Sequence, residues 1–257
     1  MTAKESFSRL LDIMDELRAK CPWDQEQTIE SLRHLTIEET YELADAILEN
    51  NMDDIRKELG DILLHIVFYA KIASETGAFT IEDVIDGICE KLVFRHPHVF
   101  GNVPVNNAED VKTNWENLKI REGNPSILAG VPASLPALVK AHRIQDKARA
   151  VGFDWDEREQ VWDKIGEELG ELQVEIRKMD AKKMEDEFGD FLFSMVNAAR
   201  LYGIDPEAAL ERTNKKFIKR FNYLEQKTMK AGRPLTSMTL DEMNVEWEEA
   251  KKMTDRR

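Results

Sequence analysis

Cysteine is scarce in this chain: Cys21 and Cys89 are the two in 257 residues, and neither has the spacing of a metal or redox motif. Free thiols in a reducing, cytoplasmic setting are the expectation. Long apolar runs are missing as well, since none approaches the roughly 20 residues that span a bilayer. The N-terminal MTAKESFSRLLDIMDEL reads as a charged amphipathic helix rather than a signal peptide. Basic charge is in deficit, with 36 Lys and Arg against 50 Asp and Glu and a net charge of -14. That argues against non-specific nucleic-acid binding, which needs a basic surface. The two-residue alternation of strands is absent too. A 3.6-residue period runs almost throughout, so the expected class is all-α, with two tandem helical bundles.

What the chain does contain is acidic residues at repeated helical spacing. Glu167, Glu168 and Glu171 are followed, after fifteen residues, by Glu187 and Asp190. Residues three or four apart share a helix face, so two helices joined by a short turn near Asp180 can bring these carboxylates together. One such set is ordinarily a solvated face. Here it occurs twice: Glu38, Glu39, Glu42, Glu58 and Asp61 repeat the spacing 129 positions earlier. In both copies a glycine, Gly60 or Gly189, precedes the aspartate, and an apolar run follows it. A solvated face gives no reason to keep that register.

The rest of the chain follows the same plan. Helices are expected at 4–19, from Thr28 or Ser31 through the first acidic triplet, at 53–75, and from Ile81 to Phe94, with CPWD at 21–24 and HPHVFGNVP as breaks. A connector helix at 108–121 precedes the Pro- and Gly-bearing REGNPSILAGVPASLP. The boundary between halves is placed there, giving domains 1–124 and 125–257. The second half should carry helices at 136–150, 156–179, 181–202 and 206–230, then a short one bearing Trp247.

Carboxylates converging from two helices make a hard, oxygen-only site, suited to Mg²⁺, with Mn²⁺ as the alternative. Zinc would want His or Cys, and a di-iron bundle would want Glu-x-x-His pairs. His65 lies one turn beyond Asp61, but Ser194 takes its place in the second copy, so His65 is expected to pack in the core. A Mg²⁺ site shares coordination with substrate phosphates, and basic residues should then reach the same cleft. Lys216 and Arg220, and at the matching places in the first half Lys91 and Arg95, are candidates; a basic helix C-terminus that complements the dipole is the plainer alternative. Trp23 with Asp24, and Phe153, Asp154 and Trp155, stand in equivalent loops, where the aromatics could stack a base or pack inside.

These residues resemble the MazG nucleoside triphosphate pyrophosphohydrolases, in their two-domain bacterial form. The resemblance rests on both acidic sets and on CPWDQEQTIESLRHLTIEETYEL, ELGDILLHIVFYAKIA, KLVFRHPHVFG and GVPASLPALVKAHRIQDKARAVGFDW, and it spans nearly the whole chain. It implies Mg²⁺-dependent cleavage of a nucleoside triphosphate between the α and β phosphates, with low base specificity, by a homodimer. The metal ligands it implies are Glu168, Glu171, Glu187 and Asp190, and in the first half Glu39, Glu42, Glu58 and Asp61. Glu167 would orient or deprotonate water, Lys216 and Arg220 would contact phosphates, and Trp247 would close over the base. The richer basic helix favours the second half as the main active site. A pyrophosphatase for dUTP or damaged nucleotides, and a non-catalytic nucleotide-binding regulator, stay open as alternatives.

Overall fold

The computed structural model describes residues 1–108, 110, 111, 114, 115, 118 and 126–254. It divides into two compact units, Met1–Val111 and Lys112–Arg257. The boundary expected at 124/125, and most of the helix expected at 108–121, lie outside the described residues. No strand occurs among the described residues, and the class is all-α.

The first unit contains α1 (Ala3–Lys20), the short α2 (Pro22–Glu26), α3 (Ile29–Leu48), α4 (Met52–Glu75), α5 (Ile81–Arg95) and the short α6 (Pro97–Phe100). Its helix starts are chemically marked. The Thr28 hydroxyl accepts the Ser31 N–H while Ser31 Oγ accepts the Thr28 N–H, a reciprocal cap that fixes where the first acidic helix begins. Asn51 caps α4, and Thr80 with Asp83 caps α5. CPWD, expected only as a break, also starts a helix: Pro22 sits in its first turn, where a missing N–H costs nothing. Pro97 opens α6 in the same way.

The second unit contains α7 (Ala137–Arg149), α8 (Val161–Lys178), α9 (Ala181–Leu201), α10 (Pro206–Lys230) and α11 (Leu240–Thr254). The second acidic helix begins at Val161 rather than near 156. Glu157 and Gln160 close a reciprocal cap around a 3₁₀ turn, Arg158–Gln160, which ends the irregular GFDWD segment. The turn near Asp180 is as short as expected. Met179 takes a left-handed conformation at φ 58° to end α8, and Asp180 caps α9. The hairpins α3–α4 and α8–α9 are the most extensive helix pairs in their units.

Each unit has its own core. In the first, Met14, Leu32, Val67, Phe68 and Ile72 pack together. In the second, Val161, Ile165 and Ala198 do so. Leu32 and Val161 stand 129 positions apart and are both fully buried, so the repeat extends from the acidic face to the packed one. His65 is buried, as expected, with its Nδ1 unpartnered.

Candidate carboxylate site

In the second unit, the α8–α9 hairpin brings Glu168, Glu171 and Glu187 together, with one carboxylate oxygen of each within 4.8 Å of the others. Glu168 is 7% exposed, Glu187 half-buried and Glu171 exposed. Burial, followed by the charges of Glu171, Asp190 and Glu168, raises the pKa of Glu187 above the ordinary glutamate value. Crowded carboxylates resist simultaneous ionisation, and a divalent cation relieves that cost. Asp190 adds charge to this group without joining the close trio.

The first unit makes a different trio from the equivalent residues: Glu39, Glu58 and Asp61. Glu39 is raised by burial and by the charges of Asp61, Glu42 and Glu58. Glu58 is buried, and its Oε2 has no hydrogen-bond partner. Glu42 is exposed and stays outside the trio. An all-oxygen donor set, elevated carboxyl pKa values and an orphaned buried oxygen all fit a hard divalent cation.

Two lysines that spacing arguments overlooked lie against these clusters. Lys164 Nζ is 2.7 Å from Glu168 Oε1 and 3.0 Å from Glu167 Oε1. Those two carboxylates raise its pKa well above the ordinary lysine value. Its signal was legible, since 164 lies three and four residues before the two glutamates. In the first unit Lys57 Nζ pairs with Glu58 Oε1 at 2.9 Å. The two lysines are not equivalent in the repeat: Leu35 and Asp186 occupy their counterpart positions.

A cavity of about 670 Å³ in the second unit includes Lys164, Glu168 and Asp190 in its wall, so it reaches the carboxylates. Leu128, Ile144, Phe153, Trp155 and Phe193 supply apolar wall, and Gln145, Ser194, Asn197 and Arg200 supply polar groups. Phe153 is 82% exposed, an aromatic face left uncovered at the cavity. Asp154 lines the cavity too, with its carboxylate bound by Arg200. Gln145 and Arg200 left no mark in the acidic pattern, since Gln145 is set by a contact with the distant α9 and Arg200 by one with the irregular segment at Asp154.

The other expected residues lie elsewhere. Lys216 and Arg220 are on α10, which packs on α7 and α9, and neither is in the cavity wall. Trp247, on α11, packs against Phe217 of α10 with ring centroids 5.0 Å apart. Glu167 is exposed on α8 and engaged by Lys164. Lys91 and Arg95 are on α5, exposed and half-buried respectively. No described helix is long and apolar enough to cross a membrane.

Comparison with known proteins adds a family match. The model of the MazG nucleotide pyrophosphohydrolase domain matches residues 27–100 and 157–224, one segment in each unit. The nucleoside triphosphate pyrophosphohydrolase/pyrophosphatase MazG of Thermotoga maritima is 45% identical over 250 residues, covering 95% of each chain. The nucleoside triphosphate pyrophosphohydrolase of Escherichia coli K12 is 42% identical over 255 residues, covering 96% of this chain and 97% of its own. That of Mycobacterium tuberculosis is 40% identical over 151 residues, covering 56% of this chain and 46% of its own.

Proposed function

The chain belongs to the MazG nucleotide pyrophosphohydrolase family, and on that premise we propose that it hydrolyses nucleoside triphosphates at the second unit, releasing monophosphate and pyrophosphate with Mg²⁺. It is a nucleoside triphosphate pyrophosphohydrolase, an enzyme acting on phosphoric anhydrides. The observation that carries the choice of unit is the cavity whose wall includes Lys164, Glu168 and Asp190 beside an exposed aromatic face. In the first unit, Phe68 occupies the position equivalent to Asn197 and is buried in the core with Met14 and Leu32.

Glu168, Glu171, Glu187 and Asp190 would hold Mg²⁺, and Glu39, Glu42, Glu58 and Asp61 a second ion in the first unit. When bound, Mg²⁺ supplies positive charge that draws the phosphates onto an otherwise repelling carboxylate face. Glu167, exposed and held by Lys164, orients the attacking water and accepts its proton. Attack on the α phosphorus breaks the bond to the bridging oxygen, and the electron pair leaves with pyrophosphate. Lys164 lies where it can turn from the carboxylates to a phosphate oxygen. Lys216 and Arg220, on α10 and outside the cavity wall, would have to turn toward the cleft to offset charge developing on the leaving group. Phe153 and Trp155 offer faces for the base, and Trp247, packed on Phe217 outside the cavity wall, would have to leave that contact to cover it. Mn²⁺ would fit the same oxygen donors.

A homodimer belongs to this proposal. Phe188, Leu192 and Met195 form an exposed apolar stripe on α9, and Leu59, Leu63 and Ile66 form its counterpart on α4. Two equivalent stripes left open in one chain suit burial against a second copy. A cytoplasmic location is proposed from the free thiols of Cys21 and Cys89.

The test is product analysis with a panel of ribo- and deoxyribonucleoside triphosphates and Mg²⁺. Monophosphate with pyrophosphate is expected. Release of orthophosphate instead places cleavage at another bond and removes the mechanism.

A further inference from the structure

Among the described residues that wall the second unit's cavity, two carry positive charge, Lys164 and Arg200. Arg200 is fully engaged. Its side chain is 5% exposed, it binds Asp154 with both arms, and it donates to Asn197 Oδ1 from Nε at 3.1 Å and from Nη2 at 2.8 Å. Lys164 has more freedom. Its side chain is 37% exposed, and its Nζ spans Glu168 Oε1 at 2.7 Å and Glu167 Oε1 at 3.0 Å. An ammonium carries three N–H groups, so one remains beyond those two contacts. The flexible four-carbon stem lets the head swing while the helix stays in place.

The two carboxylates that it bridges have different tasks in the proposed reaction. Glu168 is a ligand of the divalent cation, and Glu167 takes the proton of the attacking water. An ammonium in contact hinders both tasks, because it opposes a second positive charge at Glu168 and occupies the lone pairs of Glu167. With the cavity empty, Lys164 is the counter-ion of these carboxylates. A triphosphate changes the balance. It brings several negative charges to the same cavity wall, and phosphate oxygens are strong acceptors for an ammonium. The first unit is built differently. Leu35 takes the place of Lys164 and packs against the core, while Lys57 pairs with one carboxylate, Glu58.

We propose that Lys164 is handed from Glu167 and Glu168 to the phosphates when a nucleoside triphosphate enters with its divalent cation. The handover does two things with one side chain. It clears Glu168 for the cation, and it clears Glu167 to accept a proton, at the moment a phosphate is present to receive the ammonium. With no substrate bound, the same lysine masks the base and offsets the crowded negative charge. Lys164 is then a residue that touches substrate, and Leu35 leaves the first unit without its equivalent. This inference rests on the second unit being the nucleotide site.

The experiment is calorimetry on the full chain, first with Mg²⁺ alone and then with Mg²⁺ and α,β-methylene-ATP, an analogue that resists cleavage at the proposed bond. Lys164→Met is expected to bind Mg²⁺ alone roughly three- to tenfold more tightly, and the analogue roughly ten- to a hundredfold more weakly. Opposite signs in one variant are the signature of a handover; Lys164→Gln serves if the methionine variant does not fold. Mg²⁺ binding that weakens or stays level overturns the inference, since the lysine then does not compete with the cation. Unchanged affinity for the analogue overturns it as well. A protein that shows the opposite signs but releases no pyrophosphate from ATP loses the proposed function and keeps the handover. One that releases pyrophosphate while Lys164→Met leaves analogue binding untouched loses the handover alone.

Discussion

Arg200 clasps Asp154 with both arms of its guanidinium: Nη1 donates to Oδ2 at 3.0 Å and Nη2 to Oδ1, across 46 residues of chain. The arginine side chain is 5% exposed. The pair ties the irregular GFDWD segment to α9, and with it the neighbouring aromatics Phe153 and Trp155.

Breaking this clasp should therefore affect both stability and substrate affinity. Asp154→Asn leaves a nearly buried guanidinium without its counter-charge, at an expected cost of about 2–4 kcal/mol, and raises KM more than it lowers kcat. Burial pushes the Asp154 pKa up, but the Arg200 hydrogen bond, the Trp155 N–H and the charges of Arg200 and Arg149 outweigh it and hold the group below the usual aspartate value. A depressed folded-state pKa gives stability that is fully present above the unfolded value, about 3.9, and is lost as pH falls through the folded one. The gap between the two proteins should be constant from pH 7 to about 5 and narrow below 4. Urea unfolding across that range measures it.

The two acidic clusters should differ in consequence. Glu171→Gln is expected to lower kcat by roughly 10²–10³-fold. Glu42→Gln should change it by less than about threefold, since Glu42 lies outside the first unit's close trio and that unit is not the proposed reaction site. Pyrophosphate release by both variants, side by side, tests the assignment; comparable losses would make both units catalytic.

Lys164 pairs with Glu168 and would compete there with the proposed cation. Lys164→Met should tighten Mg²⁺ binding by roughly three- to tenfold, because an opposing charge some 3 Å from the ligands is gone. Calorimetric titration with Mg²⁺ alone reads this without turnover. Weaker binding would mean that the lysine arranges the carboxylates rather than opposing the ion.

Leu32→Ala empties a fully buried position in the first unit's core. The expected loss is about 2–5 kcal/mol, seen as a lower urea midpoint.

Self-association should depend on the apolar stripes. Asp at both Phe188 and Leu192 is expected to turn a dimer into a monomer in light scattering, because two charges would have to be desolvated at the contact. A wild-type monomer would remove the dimer from the proposal.

Much of this protein is determined by local sequence. Helix periodicity, the caps at Thr28, Asn51 and Asp205, and the i, i+3 spacing of the carboxylates involve residues within a turn of each other, so they can be read without knowing what packs where. The duplicated register identified both acidic hairpins for the same reason. Tertiary structure decided which carboxylates meet. Equivalent spacing gives Glu39, Glu58 and Asp61 in one unit but Glu168, Glu171 and Glu187 in the other, because the distance across a hairpin depends on the side chains packed between its helices. It also decided the partners that no spacing encodes: Arg200 for Asp154, and the Phe193 carbonyl for Gln145. Those contacts join groups 46 and 48 residues apart, one between the irregular segment at Asp154 and α9 and one between α7 and α9, and only tertiary packing brings them within reach.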